Sequence, residues 1–212
     1  MIRNILFDFD GTLADTRQGI VLTVQETLCR MGLPAADPAA VVGTIGLPLA
    51  TCFSTAAAVP DSRLDEAVQL YRNIFDEVAL EHISLFPKVM DTLEVLQQRG
   101  FVMAIVSSRH RYSLCPLVER LGVGRIISHV YGEDDKLRPK PAPDLALHIL
   151  SDMGLEALES LVVGDTVYDL QMGAAAGCWT CGVTYGNQGR EQLSTAKPDC
   201  VIDTFDALTA LL

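Results

Sequence analysis

Two aspartates, Asp8 and Asp10, stand at the end of a short apolar run in the stretch ILFDFDGT. Side chains alternate along a strand, so if Ile5–Phe9 is a strand the two carboxylates start on one face, with the residue between them on the other. Gly11 lets the backbone turn away and expose amides that can hold an anion, and Thr12 adds a hydroxyl. Because buried strands normally exclude charge, this placement indicates a chemical role.

Three other segments carry hydroxyl, lysine or acidic residues: Ser107 and Ser108 in AIVSSR, Lys140 in RPKPAPD, and Asp165 with Asp169 in VVGDTVYDL. Taken singly, an aspartate here could cap a helix and the lysine could be a solvated loop residue. Converging carboxylates without a counter-charge repel strongly, however, and a hard divalent cation such as Mg²⁺ relieves that repulsion. Aspartates, a hydroxyl and a lysine at one sheet edge form a set suited to phosphoryl transfer.

The elements that position these residues follow from apolar runs separated by helical patterns. Buried parallel strands are predicted at Ile5–Phe9, Val102–Val106, Ile126–Val130, Leu161–Val163, Trp179–Val183 and Cys200–Ile202. Helices bounded by proline or glycine are predicted at Pro87–Arg99, Pro143–Met153 and Asp169–Ala176. This alternation predicts a doubly wound α/β sheet, whose ligands bind at the carboxyl ends of the strands.

A long helical segment interrupts the alternation after the first strand. It carries two apolar stripes at helical spacing, made by Ile20, Val24, Leu28 and Met31 and by Leu64, Val68, Tyr71, Phe75 and Val78. A strand–helix–strand crossover needs only about thirty residues. The segment is therefore predicted to be an inserted helical lobe near the carboxyl end of the first strand.

Composition limits the classes of partner. The chain has 212 residues, 49% of them hydrophobic, and a formal net charge of −11, which predicts a globular protein. It has no run of lysine and arginine, so nucleic acid and anionic membranes are not expected as partners. The uncharged stretch 38–60 is long enough to span a membrane, but its glycines, hydroxyl residues and internal Pro48 favour short packed helices.

The six cysteines lack the dense spacing of a secreted disulfide framework. Cys178 and Cys181 form a CxxC motif, but the flanking glycines and alternating pattern predict a strand, and no second pair completes a zinc site. We interpret both as small buried hydrophobic residues. Reduced thiols and the lack of an export signal predict a cytoplasmic location.

Four motifs occur in order along the chain: DFDGT, VSS, the KPAPD lysine and GDTVYD. Because of these motifs, the chain resembles the haloacid dehalogenase superfamily of aspartate-nucleophile phosphatases, and the resemblance extends over nearly its whole length. The resemblance implies an α/β fold, a Rossmann-like three-layer sandwich with a mainly parallel sheet and an inserted α-helical cap domain. We expect the catalytic core at 1–15 and 85–212 and the cap at 16–84. Such a cap closes over the site, excludes water and selects the leaving group.

The resemblance also implies a role for each motif residue. Asp8 would attack phosphorus and form a phosphoaspartyl intermediate, while Asp10 would protonate the leaving alcohol and then take a proton from the hydrolytic water. Ser107 and backbone amides would hold the phosphoryl oxygens, and Lys140 would neutralise the nucleophile and the developing charge. Asp15 is expected to cap the following helix and to take no part in catalysis.

The cofactor implied by the resemblance is Mg²⁺. Its expected ligands are the carboxylates of Asp8 and Asp165 and the backbone carbonyl of Asp10, with Asp169 orienting a water on the metal. The expected phosphate-binding residues are Gly11, Thr12, Ser107, Ser108 and Lys140, with only a supporting role for Ser108.

The segment 46–49 (GLPL) resembles the substrate-facing cap loop of phosphoglycolate-phosphatase-like members. For Gly43 and Gly46, helix punctuation and substrate contact are equally compatible with the sequence. Arg17 and Arg109 lie near motif edges, and we expect solvent-exposed positions for both, with binding of a second anionic group as the alternative.

The predicted function is Mg²⁺-dependent hydrolysis of a small phosphomonoester of phosphoglycolate type. Alternatives in the superfamily are an inorganic pyrophosphatase and a sugar phosphomutase similar to β-phosphoglucomutase, although a last motif beginning Gly-Asp and not Glu-Asp favours hydrolysis. Dehalogenases do not need Asp10, and receiver-type signalling modules are about half as long and lack a cap. A silent binding protein would be expected to have lost a motif residue. We expect a small phosphorylated metabolite as partner, no nucleic acid or membrane, and a monomer or homodimer.

Overall fold

A computed structural model of the protein describes residues 1–133 and 136–212. Its strands are β1 (Asn4–Phe7), β2 (Ala14–Asp15), β3 (Ser84–Leu85), β4 (Val102–His110), β5 (His129–Glu133), β6 (Ser160–Gly164), β7 (Trp179–Val183) and β8 (Cys200–Ile202). Its α-helices are α1 (Arg17–Arg30), α2 (Pro38–Val42), α3 (Leu49–Thr51), α4 (Leu64–Ala79), α5 (Val89–Gln98), α6 (Arg111–Arg120), α7 (Asp144–Met153), α8 (Val167–Ala175), α9 (Arg190–Ser194) and α10 (Leu208–Leu211).

Six strands form a parallel sheet in the order β5-β4-β1-β6-β7-β8. The central strand β1 pairs with β4, where Phe7 aligns with Ile105, and with β6, where Phe7 aligns with Val163. All residues of β1 are buried, because a central parallel strand is covered on both faces. The predicted α/β fold with a mainly parallel sheet is confirmed.

Apolar side chains cover both faces of this sheet. On one face, β1, β4 and β6 pack against α7 and α8 through a cluster that includes Leu6, Val106, Ile149, Val162 and Met172. On the other face, a larger cluster runs from the sheet into the helices that follow β2, and includes Phe7, Ile105, Leu93, Leu28 and Phe75. The sheet is therefore the middle of three layers, and its carboxyl edge is held by packing from both sides.

Residues 16–84 contain α1 to α4, as the helical stripes predicted. Helices α1 and α4 pack against each other, and a π-helical turn at Cys52–Ala56 follows α3. The stretch 38–60 forms short helices, as predicted, and no helix in the described part of the chain is long and apolar enough to cross a membrane.

A two-stranded antiparallel ribbon joins the ends of this helical segment. Ala14 pairs with Leu85 and Asp15 with Ser84, so the two ends of the helical segment lie side by side. The sequence predicts no strand here, because two residues are too few to show an alternating pattern.

One predicted strand was misplaced. The run Ile126–Val130 was predicted to be a strand, whereas β5 covers His129–Glu133 and a 3₁₀ turn occupies Val123–Arg125. Ile127 is fully buried, so this apolar residue packs in the core ahead of β5 and is not part of the strand. The strand predicted at the CxxC motif is confirmed, since Cys181 lies inside β7 and is fully buried.

Candidate active site

Asp8 lies just beyond the carboxyl end of β1, at the centre of the sheet edge. Its backbone N–H donates to the Val163 carbonyl at 2.9 Å, which continues the pairing with β6. The next residues form a tight turn in which the Gly11 N–H donates to the Ala14 carbonyl at 2.8 Å. Gly11 has a φ of +96°, and a Cβ at this position would collide with the carboxylate of Asp165. Glycine therefore lets this turn approach β6 closely.

Lys140 joins two of the carboxylates. Its ammonium group donates to Asp8 Oδ1 and to Asp169 Oδ1, each at 2.7 Å, and to the Val106 carbonyl at 2.8 Å. These acceptors use all three N–H donors of a lysine, and its side chain is only 1% exposed. Because a buried ammonium must be paired, Lys140 fixes the position of the Asp8 carboxylate.

Asp165 and Asp169 stand at the start of α8, directly after β6. Asp169 Oδ2 accepts from the Thr166 backbone N–H at 3.1 Å and from its hydroxyl at 2.6 Å, forming a capping box. Asp165 accepts from the Thr12 hydroxyl at 3.2 Å and from the backbone and side-chain N–H groups of Asn187 at 2.6 and 2.9 Å. Asp169 is thus both a helix cap and a member of the acidic cluster, so its two interpretations are compatible.

Carboxylate oxygens of Asp8, Asp165 and Asp169 lie within 4.8 Å of one another, and all three residues are buried. Only oxygen donors are offered, and one lysine contacts two of the three groups. This donor set fits Mg²⁺, a hard cation that prefers carboxylate oxygens.

The pKa values of the cluster reflect its excess of negative charge. Burial raises the pKa of Asp8 well above its ordinary value; Asp169 and Asp165 add to this and Lys140 opposes it. Burial, and then Asp169, raise the pKa of Asp165 to about 7. Burial alone would lower the pKa of Lys140, but Asp169 and Asp8 raise it above its ordinary value. A bound cation would favour the ionised carboxylates.

Asp10 is held by Arg109, a residue expected at the surface. Arg109 donates from Nη2 to Asp10 Oδ1 at 2.7 Å and from Nε to Oδ2 at 3.2 Å. The side chains are 9% and 12% exposed, and the guanidinium lies 4.5 Å from the ring centroid of Phe75 in α4. The expectation of an exposed Arg109 was wrong, because Phe75 covers it from a distant part of the chain. Arg17 is exposed as expected.

The pKa of Asp10 shifts in the opposite direction to that of Asp8, because Arg109 contacts Asp10. Burial would raise the pKa of Asp10, but the guanidinium of Arg109 lowers it below its ordinary value. The lowered pKa favours the carboxylate form of Asp10, which can accept a proton. Asp10 must therefore take up a proton before it can act as a general acid.

The two serines lie in the second half of β4. The Ser107 hydroxyl accepts from the Arg109 backbone N–H at 3.0 Å, and the Ser108 hydroxyl donates to the Gly46 carbonyl at 2.6 Å. Both serines line the same cavity as Asp8. Ser108 therefore connects the sheet edge to the loop of residues 44–47 by this hydrogen bond.

The turn residues Gly11 and Thr12 are both buried. Their backbone N–H groups donate to the carbonyls of Ala14 and Phe9, at 2.8 and 3.4 Å, and the Thr12 hydroxyl donates to Asp165. These groups hold the turn in this structure, and their contact with a phosphate stays a prediction.

A cavity of about 270 Å³ extends from Asp8 and Asp10 toward the helical segment. The helical side supplies a mainly apolar wall, made by Ile20, Ile45, Leu47, Leu49, Cys52, Tyr71 and Phe75. Arg72 of α4 and Glu133 of β5, at 4.0 Å, form an ion pair across it. Gly46, with a φ of +98°, lines this cavity, whereas Gly43 ends α2. Gly43 therefore marks a helix end, and substrate contact by Gly46 stays a prediction.

Asn187 and Thr16 were missed in the sequence. Asn187 follows β7 by four residues, so applying the strand-end rule to this strand as well would have found it. Thr16 precedes α1, and its buried hydroxyl has no hydrogen-bond partner in the part of the chain that the structure describes. The Thr16 hydroxyl is close enough to Asp10 to help lower the pKa of that carboxyl.

A family model described as haloacid dehalogenase-like hydrolase matches residues 5–183. "Probable phosphatase IndB" of Dickeya dadantii is 37% identical over 205 residues, covering 95% of this chain and 89% of that protein. The phosphoglycolate phosphatase of Salmonella paratyphi A is 34% identical over 233 aligned positions, covering 100% of this chain and 92% of that protein. The crystal structure of a predicted phosphoglycolate phosphatase from Haemophilus somnus superposes with a TM-score of 0.91 at 25% identity, covering 99% of this chain and 97% of that one.

Proposed function

The chain belongs to the haloacid dehalogenase-like hydrolase family and is a phosphatase of that family, and we propose that it hydrolyses a small phosphomonoester through a phosphoaspartyl intermediate, with Mg²⁺ as cofactor. The observation that carries the proposal is the buried contact of Lys140 with Asp8 and Asp169 beside Asp165, at the floor of a cavity. The printed names of the relatives support a substrate of phosphoglycolate type.

The chemistry assigned to each residue follows from its position. An Asp8 oxygen attacks phosphorus, the bond from phosphorus to the ester oxygen breaks, and Asp10, which enters this step protonated, gives its proton to the departing oxygen. Water then attacks the phosphoaspartate, Asp10 takes a proton from it, and inorganic phosphate leaves with the Asp8 carboxylate restored. Lys140 favours the ionised form of Asp8 and holds it in place, and Ser107, which lines the same cavity, donates to a phosphoryl oxygen.

Mg²⁺ would be held by the carboxylates of Asp8 and Asp165 and by the backbone carbonyl of Asp10, with Asp169 supporting the site from α8. When bound, it would supply positive charge that offsets the phosphoryl oxygens and the neighbouring carboxylates. Asp169 already accepts hydrogen bonds at both oxygens, from Lys140 and from Thr166. This supports a positioning role for Asp169.

We further propose that residues 1–15 and 85–212 form the catalytic core and that 16–84 form a cap that selects the leaving group. The ribbon that pairs Ala14 with Leu85 supports these boundaries, since it marks where the chain leaves the core and returns. The apolar cavity wall supplied by the cap supports its role in selection and in excluding water.

Phosphate release from a panel of phosphomonoesters, in Mg²⁺ and in EDTA, tests the proposal. Asp8→Asn should lower kcat by at least about 10³-fold, as expected when a covalent nucleophile is removed. Asp15→Asn is the matched control, because Asp15 is exposed and should keep nearly full activity. In rapid-quench experiments with labelled substrate, an acyl phosphate should form on wild type and not on Asp8→Asn. Full activity in Asp8→Asn would refute the assignment of Asp8 as nucleophile. Full activity in EDTA would refute the assignment of a metal cofactor.

A further inference from the structure

We infer that Arg109 is a specificity-determining residue, which binds a carboxylate on the leaving group of the substrate, close to the ester oxygen. The inference rests on the proposed function, because it takes Asp10 as the group that protonates that oxygen. It names the residue that would select, among phosphomonoesters, those whose alcohol carries a carboxylate one or two carbons from the ester oxygen.

The position of Arg109 relative to Asp10 is the first argument. Two hydrogen bonds, of 2.7 and 3.2 Å, join the guanidinium to the carboxylate. A general acid must come within hydrogen-bond reach of the oxygen that it protonates. The ester oxygen therefore lies beside Asp10, and the next atoms of the leaving group lie within reach of Arg109.

The surroundings of Arg109 are the second argument. The guanidinium is nearly buried, lies against the Phe75 ring at 4.5 Å and lines the cavity. A planar, partly desolvated guanidinium binds carboxylates more strongly and more selectively than an exposed one does. The Asp10 pair uses Nε and Nη2, so Nη1 is left outside this pair and can approach a second anion.

The remaining charges of the cavity support Arg109 as the group that takes this anion. Arg72 lies 4.0 Å from Glu133 and so faces a carboxylate of the protein itself. Lys140 is fully engaged by Asp8, Asp169 and a backbone carbonyl. Asp76 of α4 also lines the cavity and is itself an acid, and the rest of the wall on the cap side is mainly apolar. Both features disfavour an anion elsewhere in the leaving-group space.

A pair of substrates of similar size isolates the effect: 2-phosphoglycolate, which carries the carboxylate, and 2-hydroxyethyl phosphate, which does not. Wild type should have the higher kcat/KM for 2-phosphoglycolate. Arg109→Met should lower the ratio of the two kcat/KM values by about 10- to 100-fold, the usual effect of losing a charged hydrogen bond. Any general effect through Asp10 lowers both rates together and leaves the ratio unchanged.

Arg111→Met is the matched control, because Arg111 is exposed two positions away and should leave the ratio as in wild type. Arg109→Lys keeps the charge without the planar fork and should give an intermediate ratio, which covers the case in which Arg109→Met does not fold. An equal loss for both esters in the Arg109 variants, or no preference in wild type, would overturn the inference.

A binding measurement separates this inference from the proposed function. If wild type released phosphate from no phosphomonoester of the panel, the proposed function would fail. Calorimetric titration of 2-phosphoglycolate into Asp8→Asn, with and without the added Arg109→Met change, still decides the inference. At least about tenfold weaker binding in the double variant supports it, and equal binding in the two proteins overturns it.

Discussion

Replacing Lys140 by methionine removes the cation that contacts both Asp8 and Asp169. Methionine keeps an unbranched side chain, so the change chiefly deletes the charge and its three N–H donors. With all groups ionised, the net charge of the three carboxylates and this lysine changes from −2 to −3.

The size of the effect follows from the burial of these groups. Removing one partner of a buried ion pair costs about 3–5 kcal/mol, because the remaining charge is left uncompensated. In a chain of this length, 1 kcal/mol corresponds to about 2–4 °C in Tm, so we expect a decrease of roughly 6–20 °C in EDTA. Burial already raises the pKa of Asp8, so its protonation should make the decrease smaller in acid.

Thermal unfolding of wild type, Lys140→Met and Lys197→Met, each in EDTA and in Mg²⁺, tests this expectation. Lys197 is exposed, so Lys197→Met reports what the same substitution does away from the cluster. A ligand that binds the folded state raises Tm according to its affinity. Mg²⁺ should therefore raise the Tm of Lys140→Met more than that of wild type, because the added cation replaces a missing positive charge.

Three results would refute this reasoning. Lys140→Met could match wild type in EDTA, which would mean that the lysine does not compensate the cluster. Mg²⁺ could stabilise wild type and variant equally, which would mean that the metal and the lysine do not act on the same charges. Lys197→Met could lose as much stability as Lys140→Met, which would assign the loss to methionine itself.

Two further predictions concern the same sheet edge. The pKa values of Asp8 and Asp165 are raised, the latter to about 7, so the folded state binds more protons than the unfolded state. In EDTA the urea midpoint should therefore fall as pH rises from about 4 to 7, and it should fall less in Mg²⁺. A midpoint that rises over this range would contradict the prediction. Gly11→Ala places a Cβ against Asp165 and Asn187 at a φ of +96° and should lose more stability than the roughly 1–2 kcal/mol of backbone strain alone, together with phosphatase activity. Gly32→Ala, at a φ of +67° with open space around it, measures the strain alone, and equal losses in the two variants would show that close approach at Gly11 does not matter.

Much of the site could be predicted because strand periodicity determines where side chains meet. Asp8 and Asp165 each follow a buried strand and Ser107 lies in the second half of β4, and parallel pairing of β1, β4 and β6 brings these positions together. Lys140 lies between β5 and α7, where no periodicity applies; its residue type placed it in the candidate set, and the family resemblance implied its specific role.

The burial of Arg109 and the β2–β3 ribbon could not be predicted, and the physical reason is different for each. An arginine at a motif edge is usually solvated, and the burial of this one depends on Phe75 and Asp10, which are distant in sequence. A strand of two residues is too short to show alternation, so the sequence does not predict β2 or β3 even though they pair in the structure.

That ribbon has a consequence for how new substrate ranges can arise in this molecule. Ala14 and Asp15 leave the core beside the point where Ser84 and Leu85 re-enter it, so the intervening polypeptide behaves as a loop with closed ends. Segments of other lengths and shapes can be grafted between such ends with little effect on the strands below. Evolution, or an engineer, can therefore exchange the segment that we propose recognises the alcohol while Asp8, Lys140 and the acidic cluster stay in register.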